Sequence, residues 1–343
     1  MTERKIMTPE EVQKVTELLN RMLAELDKIM LGHTKLHKLV LTGIISRGHI
    51  LLEGLPGVGK TALVKALGQL LQLDFKRAQF TPDLLPGDIL GTNILQESPE
   101  GYREMVFQEG PVFTNIMLAD EINRASPKTQ SALLEAMQDF SVTLLGNTRE
   151  LPSPFFVLAS QNPIEMEGTY PLPEAQLDRF MFKLSVSSVD AGILSEIITA
   201  RRRGIAPEPE WTLTKEDLDY IFNAMERIHL PGAVARYIGR IVAACHPGAY
   251  EAPEIINSYV MYGASPRAAI ALAEASRAMA LFAGRPTVGF EDVEEVAESV
   301  LNHRVLLNYK SKMDNVSSAE VIKQLLAGID EAELNLPSDI QVN

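Results

Sequence analysis

A chain of 343 residues is long enough for two domains of ordinary size, and 46% hydrophobic with 22% charged residues is the composition of a soluble globular protein. A formal net charge of −13 argues against a general nucleic-acid binder, which needs clustered Lys and Arg facing phosphates. The lone Cys245 rules out an internal disulfide, no apolar run approaches the ~20 residues that span a bilayer, and the opening MTERKIMTPEEV lacks a basic-then-apolar leader pattern; a cytoplasmic chain without membrane insertion is expected.

Val12, Val15, Leu19, Met22, Leu26 and Ile29 recur at helical spacing and predict a helix over 10–30, with a second over 33–46. HILLE (49–53) reads as a short buried strand before a glycine-rich turn, and the apolar positions from Ala62 to Leu71 then repeat as a helix face. Four more strand-like pieces follow: FKRAQF (75–80), NIMLA (115–119), FFVLAS (155–160) and MFKLSV (181–186). Strands alternating with helices predict an α/β layer built on a parallel sheet. Two segments interrupt the alternation and read as projecting hairpins: 92–110, turning at Pro99–Gly101, and 142–151, turning at Gly146–Asn147.

Beyond about Val189 the strand signals stop. Leu218, Ile221, Phe222, Met225 and Ile228 form a helix face, with Thr214 and Asp217 as its capping box. Similar faces centre on Ile241, Val296 and Leu325. The reading is an α/β core over 1–188 and an all-α domain over 189–343.

GLPGVGKT, Gly54 to Thr61, carries the chemistry. It matches the phosphate-loop pattern, with a strand before it and an amphipathic helix after it. Gly54, Leu55, Pro56, Gly57, Val58 and Gly59 through to Ala62 form the expected phosphate cradle, the glycines letting backbone N–H groups wrap the phosphates. Lys60 is expected to reach the β- and γ-phosphates, and the Thr61 hydroxyl to hold Mg²⁺. Asp120 and Glu121 stand together at the end of an apolar strand, where two carboxylates are costly without a cation. Asp120 is read as binding the Mg²⁺ shell and Glu121 as orienting and activating the attacking water. Asn162, after the next strand, fits either a water-positioning group or a turn-former before Pro163. Arg179 fits either an ion pair with Glu174 or Asp178, or a cation supplied to a neighbouring subunit. Arg267 opens a helix, where a positive charge is disfavoured by the dipole; a phosphate partner or plain solvent exposure would each account for it. Cys245 reads as a buried small hydrophobe, Trp211 as a packing anchor, and His303–Arg304 as a helix end.

The ordered segments GLPGVGKT, QFTPDLLPGDILG, VFQEGPVF, LADEINRASPKTQSALLEAMQD, LASQNP, EAQLDRF and GASPRAAIALAEASRA resemble the MoxR family of AAA+ ATPases from about Ile29 to about Leu307. The resemblance implies an α/β core with a helical lid, ATP and Mg²⁺ as ligands, and a homo-oligomeric ring, a hexamer. It makes 92–110 the helix-2 insert and 142–151 the pre-sensor hairpin. By matching motif, Asn162 takes the sensor-1 role, Arg179 the arginine-finger role and Arg267 the sensor-2 role, with Arg124 a second candidate for a trans contact. Ser160 stands where the family pattern has Thr, His33 where it often has Gln, and Leu90 where a polar residue is common. The resemblance also implies a separate protein partner, of the kind bearing a von Willebrand factor A domain, that the ATPase remodels, assembles or matures. A nucleic-acid-coupled motor and a slow nucleotide-dependent scaffold are the competing readings.

Overall fold

The computed structural model describes residues 6–54, 57, 59–97, 102–162, 168–201 and 206–330. In chain order the elements are α1 (Pro9–Ile29), α2 (Thr34–Ile45), β1 (Ile50–Gly54), α3 (Lys60–Leu71), β2 (Phe75–Gln79), α4 (Pro86–Leu90), β3 (Gly91–Glu97), β4 (Arg103–Glu109), β5 (Ile116–Asp120), α5 (Pro127–Asp139), β6 (Ser141–Leu144), β7 (Asn147–Glu150), β8 (Phe156–Gln161), α6 (Glu174–Leu177), β9 (Phe182–Val186), α7 (Ala191–Ala200) and α8 (Lys215–Met225). There follow α9 (Gly232–Ala244), α10 (Glu254–Tyr259), β10 (Val260–Tyr262), α11 (Pro266–Phe282), α12 (Phe290–Leu301), β11 (Leu306–Leu307), α13 (Tyr309–Met313) and α14 (Ser318–Ala327).

The chain divides into two compact units, Glu17–Asn223 and Met1–Thr16 with Ala224–Asn343. The larger unit holds a parallel sheet of order β2-β5-β8-β1-β9, built from the five strand-like pieces read in the sequence. Leu51, Met117, Ala119, Val157 and Ala159 of its central strands pack with Leu133, Leu134 and Met137 of α5. The central strands β5, β8 and β1 read as apolar runs because both faces of a parallel sheet are covered.

Both expected hairpins form. β3 pairs antiparallel with β4, Leu95 opposite Met105; the turn expected at Pro99–Gly101 lies outside the described residues. β6 pairs with β7 through a two-residue turn at Leu145–Gly146, one residue earlier than the sequence reading placed it. Both turn residues have positive φ, 49° and 80°. That is the type I′ geometry that matches strand twist, and it puts Leu145 in the left-handed region.

The larger unit extends past the 187–190 stretch where the strand signals end. Leu213 N–H donates to the Leu70 carbonyl, and Phe222 packs on Phe156 with Arg47 over its ring. Residues 206–223 therefore cover the α/β layer. Helical spacing reveals a helix there but not which layer it covers. Trp211 lies in the same region, with the Arg21 guanidinium 4.4 Å from its ring centre.

In the smaller unit α9, α11, α12 and α14 pack around Ile241, Leu272, Val293, Val296 and Leu325, all fully buried. Thr16 from α1 donates its hydroxyl to the Leu281 carbonyl. Burial pushes the Cys245 thiol up to about 12. Arg304 donates to the Val300 carbonyl at the end of α12, as its place in the sequence suggested. This mainly helical unit also carries a short antiparallel ladder, β10 with β11, too brief to leave a period in the sequence. Among the described residues no helix is long and apolar enough to cross a membrane.

Candidate functional site: a phosphate loop facing two carboxylates

β1 delivers the chain into the phosphate loop at Gly54. A Cβ there would lie 2.5 Å from the Val186 carbonyl of β9, so the close approach of these strands requires glycine. The loop re-enters helix through Gly59, whose φ of +92° caps α3 in the left-handed region. Leu55, Pro56 and Val58 lie outside the described residues.

Lys60 is the first residue of α3 and is buried, with Nζ donating to the Gly54 carbonyl at 2.8 Å. Burial lowers its pKa, against the opposing pull of Asp120 and Glu121. Its charge is thus held close to the carboxylates in a partly desolvated site.

Asp120 ends β5, and each of its oxygens has a partner. Oδ1 accepts from Ser160 Oγ at 2.6 Å, and Oδ2 accepts from Arg77 Nε at 3.1 Å and Nη2 at 2.7 Å. Glu121 follows with φ 56° and ψ 48°, a left-handed conformation rare for a side chain of this size. That turn lets its amide donate to Ser160 Oγ at 3.0 Å. Its Oε2 accepts from Gln79 Nε2 at 2.7 Å and from Arg124 Nη1 at 2.9 Å. Ser160 thereby ties the two acidic residues to β8.

A cavity of about 360 Å³ brings Lys60, Thr61, Asp120, Glu121 and Asn162 together with Arg77 and Gln79 of β2. Gly57, Gly59 and Ala62 complete its loop side. In the sequence Arg77 and Gln79 show only as residues of the strand-like piece 75–80. Their spacing of two puts both on one face of β2, and the pairing of Gln79 with Asp120 across β2 and β5 brings that face to the carboxylates. Asn162 is buried, and its carbonyl accepts a long bond from Asn123 Nδ2 at 3.5 Å.

Arg179 is not brought to this cavity. It follows α6, and its guanidinium makes no ion pair among the described residues; neither Glu174 nor Asp178 holds it. Its Nε is buried without a partner. Arg267 is exposed at the first turn of α11, where its amide donates to Ser265 Oγ. Arg124 pairs with Glu121 in its own chain.

The residues suit a nucleotide with a hard divalent cation. The cavity is in the size range of small-ligand pockets, a helix N-terminus and an ammonium face it, and Thr61 and Asp120 offer oxygen donors. Among the described residues no group of three or more His, Cys, Asp or Glu is placed to hold a metal alone. A cation here would draw its remaining ligands from phosphate and water.

A phosphate loop at the carboxyl end of a five-stranded parallel sheet, facing an acidic pair on the neighbouring strand but one, defines a P-loop nucleotide hydrolase. Residues 49–182 match the ATPase family associated with various cellular activities (AAA), and residues 253–325 match the AAA lid domain. The chain is 42% identical over 318 residues to Chaperone MoxR1 of Mycobacterium tuberculosis, covering 92% of this chain and 83% of that one. It is 39% identical over 315 residues to the uncharacterized protein YeaC of Bacillus subtilis, covering 91% and 94%. To Protein MoxR of Methylorubrum extorquens it is 30% identical over 327 residues, covering 91% and 93%. The crystal structure of a candidate ATPase from Cytophaga hutchinsonii superposes with a TM-score of 0.86 at 40% identity, covering 94% of this chain and 97% of that one. The chain belongs to the MoxR family of AAA+ ATPases, and its activity is ATP hydrolysis.

Proposed function

We propose that the chain works as a homo-oligomeric ring, a hexamer, that couples ATP hydrolysis to remodelling or maturing a separate protein partner. The observation that carries this is Arg179. Its Nε is buried and unpartnered, it forms no ion pair among the described residues, and it is absent from the lining of the cavity that holds Glu121. The side chain as a whole is half-buried, so the cost falls on that one unmatched donor, and a nucleotide on a neighbouring subunit would match the guanidinium. The relative called Chaperone MoxR1 supports a protein partner, as does the net charge of −13, which disfavours nucleic acid. A partner with a von Willebrand factor A domain is the class to test first.

In this reading Lys60 leaves the Gly54 carbonyl for the β- and γ-phosphate oxygens, and the amides at the start of α3 hold the same charge. Thr61 and Asp120 would hold Mg²⁺, which when bound supplies charge neutralisation across the β- and γ-phosphates. Glu121, turned into the cavity by its left-handed backbone, accepts a hydrogen bond from the attacking water and aligns it. Asn162 fixes the same water or a γ-phosphate oxygen. Arg179 of the neighbouring subunit stabilises the charge that develops on the transferring group, an effect worth roughly 10³–10⁵ in rate, about 4–7 kcal/mol.

Mixing tests the shared site. Arg179→Ala and Glu121→Gln should each bind ATP and be nearly inactive alone. Mixed under conditions of subunit exchange, they create interfaces with an intact Glu121 opposite an intact Arg179, and turnover returns. The recovered rate falls on dilution as rings dissociate. Confirmed exchange without recovered turnover would overturn the trans role of Arg179.

A further inference from the structure

Arg77 has no assigned part in the chemistry above, yet it holds the oxygen that a metal would use. With Asp120 Oδ1 engaged by the Ser160 hydroxyl, Oδ2 is the oxygen left for a cation. Arg77 sets two donors on that single atom, Nε at 3.1 Å and Nη2 at 2.7 Å. The Asp120 side chain is 12% exposed and that of Arg77 46%, so the carboxylate is fixed while the guanidinium has solvent to move into. Gln79 steers it further, its Oε1 accepting from Arg77 Nη2.

A guanidinium and a divalent cation repel strongly at contact distance, so they cannot share Oδ2. Occupancy of this oxygen is exclusive. We infer that Arg77 is a tethered cation that neutralises Asp120 in the nucleotide-free site and competes with the divalent metal for it, thereby setting the metal concentration at which the site fills. The inference rests on the reading of Asp120 as the metal carboxylate. It gives Arg77 a positioning role through Asp120 and needs no contact with the nucleotide. Its energetic logic is population shift: metal affinity is reduced by the fraction of molecules in which Arg77 occupies the oxygen. A half-exposed ion pair limits the size of the effect.

The test measures Mn²⁺ binding by electron paramagnetic resonance with saturating ADP, so that the readout is independent of turnover. Arg77→Gln should tighten Mn²⁺ binding by roughly 3–10-fold. Its affinity for ADP without metal, in EDTA, should stay within about twofold of wild type. Arg77→Lys keeps the charge with fewer donors and should tighten Mn²⁺ by about twofold; it carries the test if the Gln variant fails to fold. Unchanged or weaker Mn²⁺ binding in a folded Arg77 variant overturns the inference. Loss of metal-free ADP affinity would overturn it too, by making Arg77 a phosphate contact. Asp120→Asn separates the two layers of the argument. If it leaves Mn²⁺ affinity unchanged, the metal reading of Asp120 fails and the Arg77 inference falls with it. If it weakens Mn²⁺ while the Arg77 variants do not tighten it, only the Arg77 inference falls.

Discussion

The Ser160 hydroxyl donates to Asp120 Oδ1 at 2.6 Å from a fully buried position on β8. Ser160 Oγ also accepts from the Glu121 amide, so one side chain orients both acidic residues at the end of β5. Ser160→Ala should therefore lower kcat about 10-fold while changing the KM for ATP little, because alignment rather than ligand contact is lost. It also leaves the part-buried Glu121 amide short of an acceptor, costing about 1 kcal/mol of stability. Ser160→Thr restores the hydroxyl and should recover most of the rate. Steady-state kinetics of the two variants separate a role of the hydroxyl from one of packing. Equal losses in both would point to packing.

His49 provides a pH signature remote from the catalytic cavity. Its Nε2–H donates to the Met137 carbonyl and its Nδ1 accepts the Val157 amide, each at 3.0 Å. This neutral tautomer uses both ring nitrogens, and burial pushes the pKa down to about 4. The unfolded chain takes up the proton near pH 6.5. The folded-state pKa is depressed, so the contribution is complete above pH 6.5 and is lost as pH falls from 6.5 to about 4, amounting to about 3 kcal/mol. Urea midpoints measured from pH 7 to pH 4 should fall more steeply for wild type than for His49→Gln. Parallel curves would sink the assignment.

The β3–β4 hairpin divides into a supported base and an open tip. Phe107 packs against Phe113 and lies under the Arg149 guanidinium, whereas Leu95, Tyr102 and Met105 are exposed. Tyr102→Ser with Met105→Ser should leave stability within about 0.5 kcal/mol per site while reducing partner-stimulated ATPase. Phe107→Ala should instead cost about 2 kcal/mol. Calorimetric melting beside ATPase assays with and without partner distinguishes the two ends. Unfolding of the tip variant would make it core.

The central strands β1, β5 and β8 were legible because each is a short apolar run, and the phosphate loop because its spacing is a chemical requirement. Asp120 and Glu121 declared themselves as paired charges after an apolar strand. Arg77 and Gln79 did not, because their meaning comes from partners more than 40 residues away that β2 meets only once β5 lies beside it. Ser160 was visible as a departure from the family pattern, but its bond from the Glu121 amide depends on the left-handed turn at Glu121, which no local signal announces in a non-glycine residue. The turn at Leu145–Gly146 was displaced by one residue for the same reason: Leu145 adopts a backbone that its residue type disfavours. The unit boundary was hidden because helical periodicity identifies a buried face without naming what buries it.

Gln130 gives the molecule a mechanical element. Its buried amide nitrogen donates to the carbonyls of Ile122, Ala125 and Tyr170, and the Tyr170 amide returns a bond to the Asn123 carbonyl. The turn after Glu121, the entry to α5 and the chain returning after Asn162 are riveted together at one point. α5 leaves that point as a rod of 13 residues, roughly 20 Å long at 1.5 Å per residue, and its far end runs into β6 and the hairpin tip at Leu145. A tilt of about 5° at the rivet sweeps the far end of such a rod by about 2 Å. A displacement too small to break packing beside the acidic pair would become, at Leu145, a stroke of the size of a side-chain contact.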